Sequence, residues 1–265
     1  MHAIGEILRG KDRFLPYIEI DKKLEELLGE YGVWRSRKGT HYPFWRLQND
    51  GIWEVSDADK VRLTASGDAF KKDLIKYNVR GGFTEKVARQ LLADSKLASE
   101  IIWKLLDRHF TDTMQESILQ SVGIELTTEG IVRKRRDPRF RVNVLTAYEF
   151  RCAVCGFDVR LGYLPVALEA AHIKWHQEGG PDVEVNGLAL CSLHHKLFDR
   201  GAFTLSNDLD ILVSDKANGT AGFCEWLLRF HGKKLKLPQR QTYFPSETYT
   251  RWHVKEVFKG DYREL

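Results

Sequence analysis

Residues 151–201 contain the pieces of sequence that decide the fold. The sequence is R-C-A-V-C-G at 151–156, L-E-A-A-H-I at 168–173 and N-G-L-A-L-C-S-L-H-H-K-L-F-D-R-G at 186–201. Two groups of side chains are interleaved in it. One is a set of thiols with an imidazole, and the other is a set of histidines with an asparagine and an aspartate. The segment therefore combines two kinds of chemistry.

The thiols and one histidine have the spacing of a structural zinc site. A C-x-x-C pair is followed by a C-x-x-H pair, with the four ligands Cys152, Cys155, Cys191 and His194. Two such pairs close a tetrahedron around one ion and leave no position for substrate. The alternative is a redox C-x-x-C pair or buried free thiols, but a redox pair would not need the second cluster. We predict a structural zinc knot that stabilises a small subdomain.

The second group lies on a predicted strand, turn and helix. Residues 167–173 suit a short strand with His172 at its tip, and Asn186-Gly187 marks a loop or tight turn. Residues 192–199 suit a short helix stopped by Gly201.

This arrangement fits phosphodiester hydrolysis. His195 and Asp199 are four residues apart, so both side chains leave one helical face and can reach one cation. Hydrolysis needs a base that activates water and a cation that neutralises charge on the phosphate. A buried, hydrogen-bonded core histidine is the alternative for His172. Its fixed order with Asn186 and His195 favours the functional interpretation.

The segment from Tyr148 to Phe203 resembles an HNH endonuclease of the ββα-metal type with zinc-knot support. The resemblance implies that His172 is the general base and that Asn186 braces the loop that holds it. It makes His195 a ligand of the catalytic Mg²⁺ or Mn²⁺, with Asp199 as a second helical ligand. Many relatives have an Asp or His directly before the base, where this chain has Ala171. This departure predicts that the protein supplies fewer ligands to the metal, and it leaves the identity of the metal open.

Composition agrees with an intracellular DNA-acting protein. The 265 residues carry a net charge of +4 with a pI near 8.8, which is compatible with a polyanionic partner. Four cysteines do not form a disulfide scaffold, and we expect the fourth, Cys224, to lie in a core. The sequence has no apolar run of membrane-spanning length and no signal peptide, so we expect a cytoplasmic location in a prokaryotic cell and no membrane partner.

The chain divides into three predicted parts. Residues 1–125 form a mainly helical domain, with one helical pattern from Lys86 to Phe110 broken near Asp94 and another over 113–122. Residues 126–141 form a linker with six basic residues between Arg133 and Arg141. It is either solvated or lies along DNA phosphates. Residues 142–265 form the nuclease domain, with its core at 148–203.

The first domain contains a cluster of cations and apolar rings. Between Gly32 and Val55, Arg37 and other basic residues flank H-Y-P-F-W, in which Tyr42 and Pro43 stand side by side. Such a cluster can hold a phosphate with something apolar beside it. The alternative is a hydrophobic turn flanked by solvated charge.

H-Y-P-F-W-R-L-Q-N-D-G-I-W and V-R-G-G-F resemble the sulfur-binding domain of phosphorothioate-dependent restriction endonucleases. In that family this domain precedes an HNH nuclease, as here. The resemblance implies that Tyr42 and Pro43 form an apolar cup for sulfur. The remaining implied contacts are Thr40, His41, Arg37 and Arg80. Relatives begin with a further basic segment, whereas this sequence begins at M-H-A-I-G-E.

The sequence thus predicts an α+β protein, with a mainly helical DNA-recognition domain followed by a zinc-supported ββα-metal nuclease domain. The predicted partner is DNA, most of all phosphorothioated duplex, with a homodimer as one route to a double-strand break. One alternative keeps the nuclease but changes the mark, for example to modified cytosine. Another makes the chain a non-catalytic, zinc-stapled DNA-binding protein.

Overall fold

The computed structural model describes residues 1–32, 39–124 and 138–264. Within them the chain forms two compact units. The first contains the described residues of 1–32, 39–108 and 115–124, and the second contains 109–114 and 138–264. The basic linker of 126–141 lies largely outside the described residues, as does Arg37.

The first unit is mainly helical with one small sheet. In chain order its elements are α1 (His2–Leu8), β1 (Phe14–Pro16), α2 (Tyr17–Tyr31), α3 (His41–Arg46), β2 (Trp53–Val55), α4 (Lys71–Lys76), β3 (Arg80–Phe83), α5 (Glu85–Ala93), α6 (Ser95–His109) and most of α7 (Asp112–Ser121). The sheet is antiparallel with the order β1-β3-β2.

The middle strand β3 positions α3. Phe44 of α3 is buried in the core of this unit and meets Tyr17 and Trp53 edge to face. A Cβ atom on Gly81 would lie 2.6 Å from the Phe44 ring, so only glycine lets the ring approach the strand. This explains the first glycine of V-R-G-G-F. It also fixes the helix that carries Tyr42.

The second unit is built from short hairpins and helices. Its elements are α8 (Pro138–Ala147), β4 (Arg160–Leu161), β5 (Leu164–Pro165), β6 (Leu168–His172), β7 (Gly187–Cys191), α9 (Ser192–Asp199), β8 (Phe203–Leu205), β9 (Ile211–Val213), α10 (Ala221–Trp226) and α11 (Glu247–Glu256). The strands pair as antiparallel hairpins β4-β5, β6-β7 and β8-β9.

The β6-β7 hairpin is the centre of the second core. Every residue of β7 is buried, and the register places His172 opposite Gly187. Helix α8 packs directly on the hairpin, and a Cβ atom on Gly187 would lie 2.3 Å from a methyl group of Val144. The glycine of the Asn-Gly pair is therefore required by the close approach of α8.

Several sequence predictions are confirmed, including the α+β class with a mainly helical first domain. The break near Asp94 separates α5 from α6, and α9 spans the predicted Ser192–Asp199. The expectation for Cys224 is wrong, because its thiol is exposed on the six-residue helix α10. In the described part of the chain, no helix has the length and apolarity needed to span a bilayer.

Candidate active site

The four zinc-type ligands converge as the sequence predicts. Cys152 and Cys155 lie in a tight turn, in which the Gly156 amide donates to the Cys152 carbonyl at 2.8 Å. Cys191 ends β7, and His194 lies in the first turn of α9. The ligand atoms of all four residues lie within 4.8 Å of one another. The predicted cluster is therefore compatible with a zinc site.

The hydrogen bonds of His194 fit a metal ligand. Its Nε2 lies 3.0 Å from the Trp226 carbonyl, so Nε2–H donates there and Nδ1 faces the sulfurs. Nδ1 lies 3.1 Å from the Cys191 Sγ and 3.8 Å from the Cys152 Sγ. Hydrogen bonds from Cys155 and Cys191 lower the pKa of the Cys152 thiol, which favours the thiolate that binds metal. This donor set suits a closed, structural ion.

His172 lies at the end of β6 and is largely buried, with 6% of its surface exposed. Its Nε2 lies 2.7 Å from the Asp182 Oδ1. Its ring stacks on Phe140 of α8, with centroids 3.9 Å apart and planes 14° apart. These contacts hold the imidazole in one orientation.

Asn186 joins the two ends of the loop between β6 and β7. Its Oδ1 accepts from the Lys174 amide at 2.8 Å, and its Nδ2 donates to the carbonyls of Lys174 and Pro181, each at 3.0 Å. The side chain is fully buried. Asn186 is thus placed to brace this loop, whereas its part in catalysis stays a prediction.

His195 and Asp199 lie on one face of α9. The His195 Nε2 is 3.3 Å from the Asp199 Oδ2, and Asp199 is 1% exposed. The Thr113 hydroxyl, in the same unit, donates to that carboxylate. The pair can offer one nitrogen and one oxygen to a divalent cation.

Two carboxylates beside these histidines were missed from the sequence. Glu169 Oε2 lies 2.6 Å from the His195 Nδ1, and its Oε1 accepts from the Ser192 hydroxyl at 2.6 Å. The hydrogen bond from His195 lowers the pKa of Glu169 to about 2. Asp182 contacts His172 as described. Strand alternation could have found Glu169, because residues 169 and 171 leave the same face of β6.

The predicted DNA-binding residues of α3 form one surface. Tyr42 is 41% exposed and Pro43 is also exposed, whereas the next two residues anchor the helix in the core. The Arg46 guanidinium lies 4.9 Å from the centre of the Tyr42 ring and forms two hydrogen bonds with Asp68. The surface therefore combines an exposed ring with a cation.

The other predicted contacts occupy different positions. Thr40 is fully buried and its hydroxyl bonds to Asp21 and Tyr17, so it can act on a ligand only through α3. The His41 ring lies 4.1 Å from that of Tyr42, and burial lowers the pKa of His41, with Lys71 adding to the effect. Arg80 donates to the Phe14 carbonyl at 2.6 Å and thereby ties β3 to β1.

The site has the arrangement of a ββα-metal nuclease. An antiparallel hairpin is followed by a helix, with a histidine at the end of the first strand, an asparagine before the second strand and a histidine on the helix. Residues 152–206 match the HNH endonuclease family, and residues 1–127 match the family described as ScoMcrA-like, DNA sulfur-binding domain. The chain therefore contains a segment that matches the HNH endonuclease family and, before it, a segment that matches the ScoMcrA-like sulfur-binding family. Both resemblances stated from the sequence are confirmed.

Similar solved structures include the sulfur binding domain of ScoMcrA complexed with phosphorothioated DNA, with 24% identity, a TM-score of 0.43 and coverage of 46% of this chain and 78% of that one. The type IV phosphorothioation-dependent restriction endonuclease ScoMcrA has 23% identity and a TM-score of 0.42, covering 46% of this chain and 27% of that one. The modification-dependent TagI restriction endonuclease has 27% identity and a TM-score of 0.31, with coverage of 51% of this chain and 41% of that one. No curated protein sequence matches the chain.

Proposed function

We propose that this chain is a modification-dependent endonuclease that binds phosphorothioated DNA through its first domain and hydrolyses phosphodiester bonds nearby. The observation that carries the proposal is the pairing of a sulfur-binding family domain with an HNH domain in one chain. We place the domains at 1–125 and 142–265, joined by residues 126–141, of which Phe140 on α8 already packs in the nuclease core.

The surface of α3 supports recognition of sulfur. A sulfur atom that replaces a non-bridging phosphate oxygen is larger, softer and less hydrated, so a shallow apolar cup can prefer it. Tyr42 and Pro43 offer such a cup, because they are exposed while Phe44 is buried beneath them. The phosphate keeps its negative charge, and the Arg46 guanidinium over the Tyr42 ring supplies a cation.

Hydrolysis would use the β6-β7 hairpin and α9. His172 would accept the proton of the attacking water, because its imidazole is held in one orientation at the end of β6. Asn186 would keep the adjoining loop in place through its three backbone hydrogen bonds. A divalent cation, Mg²⁺ or Mn²⁺, would be held by His195 and Asp199 and would neutralise charge on the phosphate and the leaving oxygen.

The thiolate cluster would hold Zn²⁺ for stability. Cys152, Cys155, Cys191 and His194 would fill all four tetrahedral positions, and α9 begins directly after Cys191. The cluster would thus fix the helix that carries His195. Thiolate ligands and a DNA substrate both suit the reducing interior of a prokaryotic cell.

One centre hydrolyses one strand. We therefore propose that a double-strand break needs two copies of the chain, as in a homodimer, or two successive visits. The ratio of nicked to linear plasmid as a function of protein concentration separates these routes.

The direct test is cleavage of matched duplexes with and without one phosphorothioate, in Mg²⁺ or Mn²⁺. We expect binding and cleavage to favour the modified duplex. His172→Ala should slow cleavage by about 10²–10⁴-fold and leave DNA binding nearly intact. The control is His176→Ala, which removes an exposed histidine 5.9 Å from the His172 ring. A His172→Ala rate within about threefold of wild type would refute the assigned base, and equal affinity for both duplexes would refute sulfur recognition.

A further inference from the structure

Each of the two histidines at the nuclease centre hydrogen-bonds to its own carboxylate. The His172 Nε2 lies 2.7 Å from Asp182, and the His195 Nδ1 lies 2.6 Å from Glu169. We propose that Asp182 and Glu169 are positioning residues with separate tasks: Asp182 sets the base, and Glu169 sets the metal ligand. This inference rests on the proposed function and adds two residues to it.

The His172 contact determines which ring nitrogen is basic. When Nε2–H donates to Asp182, the lone pair of the neutral ring is on Nδ1. The carboxylate also stabilises the imidazolium that forms when the ring takes a proton from water. Two rings also contact His172: His176 lies edge-on at 5.9 Å, and Phe140 covers one face. Neither ring is acidic, so the acidic contact of His172 within the described residues is Asp182.

The loop geometry explains how Asp182 reaches His172. Asn186 donates to the Pro181 carbonyl at 3.0 Å, directly before Asp182, and bonds to both backbone groups of Lys174. A Cβ atom on Gly180 would lie 1.9 Å from the Lys174 carbonyl oxygen, so the loop closes tightly there. Asn186 therefore acts on the base through Asp182.

The contact between His195 and Glu169 leaves the other ring nitrogen, Nε2, as the basic one. Nδ1–H donates to Glu169, which leaves the lone pair on Nε2, the nitrogen 3.3 Å from the Asp199 Oδ2. Both ligand atoms then lie on one side of α9. Ser192 donates to the other oxygen of Glu169 at 2.6 Å, so the first residue of α9 holds the carboxylate that orients His195 on the same helix. Carboxylates that accept from the far nitrogen of a ligand histidine fix its tautomer and raise its basicity.

The position of Glu169 on β6 supports the same assignment. Side chains at 169 and 171 leave the same face of the strand, and residue 171 is a fully buried alanine. Glu169 is thus the acidic side chain that β6 offers on this face.

The proposal is tested with Asp182→Ala and Glu169→Ala in the full-length, zinc-loaded protein. Single-turnover cleavage is measured against Mn²⁺ concentration and pH, and Mn²⁺ binding is measured by electron paramagnetic resonance in a His172→Ala background. Asp182→Ala should lower the metal-saturated rate 10–100-fold, alter the acid limb of the pH–rate profile and leave Mn²⁺ affinity within twofold. Glu169→Ala should weaken Mn²⁺ binding 10–100-fold, with a rate that recovers at saturating metal.

Conservative and control variants separate positioning from folding. Asp182→Asn and Glu169→Gln keep a hydrogen-bond acceptor and should recover part of each loss. Glu178→Ala removes an exposed carboxylate from the same loop and should change neither measurement. Nitrogen NMR should show His172 as the Nε2–H tautomer and His195 as the Nδ1–H tautomer at neutral pH.

The outcomes are distinguishable from failure of the proposed function. If wild type does not cut DNA but Glu169→Ala still weakens Mn²⁺ binding, the hydrolytic function fails and the role of Glu169 stands. If wild type cuts and both alanine variants change both measurements alike, or neither, the division of tasks is overturned. Tautomers opposite to those stated would overturn it as well.

Discussion

His253 should make the stability of the nuclease unit depend on pH. It lies on α11 and is fully buried, with its ring stacked on Phe198 at 3.8 Å. Its Nε2 donates to the Phe198 carbonyl at 3.1 Å, and its Nδ1 accepts from the Thr204 hydroxyl at 2.9 Å. The ring therefore holds α11 against α9 as a neutral group. Burial lowers the pKa of His253 to about 3, against an ordinary value of 6.5.

The magnitude follows from proton linkage. In the unfolded chain His253 binds a proton as the pH falls through 6.5, whereas the folded protein does not until about 3. The contribution of neutral His253 is complete above the unfolded pKa and is lost progressively below it. Between about pH 7.5 and pH 5.5 the free energy of unfolding should fall by about 1.4 kcal/mol from this residue.

The assay is urea unfolding followed by circular dichroism at both pH values, for wild type and His253→Gln. The glutamine amide can still donate to the Phe198 carbonyl. Zinc ligands and surface carboxylates titrate in both proteins, so they cancel in the difference. The variant should be less stable at pH 7.5 and should lose about 1.4 kcal/mol less on acidification. Parallel losses in the two proteins would refute the reasoning.

Three further substitutions test the zinc cluster, the α3 surface and the hairpin. Cys152→Ser should lower the bound zinc and reduce the Tm by roughly 5 °C or more. Cys224→Ser, at an exposed thiol, should change neither. Full zinc content of Cys152→Ser by metal analysis would contradict this expectation. Tyr42→Ala should weaken binding to phosphorothioated DNA by roughly 1–3 kcal/mol and spare plain DNA in competition titrations, and equal losses on both would mean general packing. Gly187→Ala places a Cβ 2.3 Å from a side chain of α8, so it should cost about 1–3 kcal/mol of stability and slow cleavage. The control is Gly222→Ala, whose added Cβ meets nothing within 4 Å. An unchanged melting curve for Gly187→Ala would contradict this expectation.

The elements of the nuclease unit were predictable where local sequence fixes them. The helix Ser192–Asp199 begins after Cys191 and has Arg200 as its C-cap, and the shared face of His195 and Asp199 follows from their four-residue spacing. The strand ending at His172 follows from its apolar run. The thiolate cluster follows from two pairs whose spacing has few other uses. In each case the interacting residues are close in sequence or the motif has one stable geometry.

Tertiary contacts account for what the sequence did not predict. Thr40 precedes the exposed Tyr42 in sequence but is buried, because its hydroxyl bonds to Asp21 of α2. Cys224 has apolar neighbours in sequence, yet α10 is too short to bury both faces and Trp226 is 54% exposed. Asp182 reaches His172 only because Asn186 folds the intervening loop back. None of these arrangements has a local pattern.

Ala171 shows why a departure from a family pattern has to be examined in three dimensions. In the sequence alone, alanine at position 171 takes a carboxylate away from the proposed metal site. Residue 171 is fully buried in the hairpin core, where an ionised carboxylate would be costly to desolvate. Glu169 leaves the same face, its side chain is 40% exposed, and its carboxylate accepts from both His195 and Ser192. The negative charge is therefore kept beside His195, at a place where water can still solvate it.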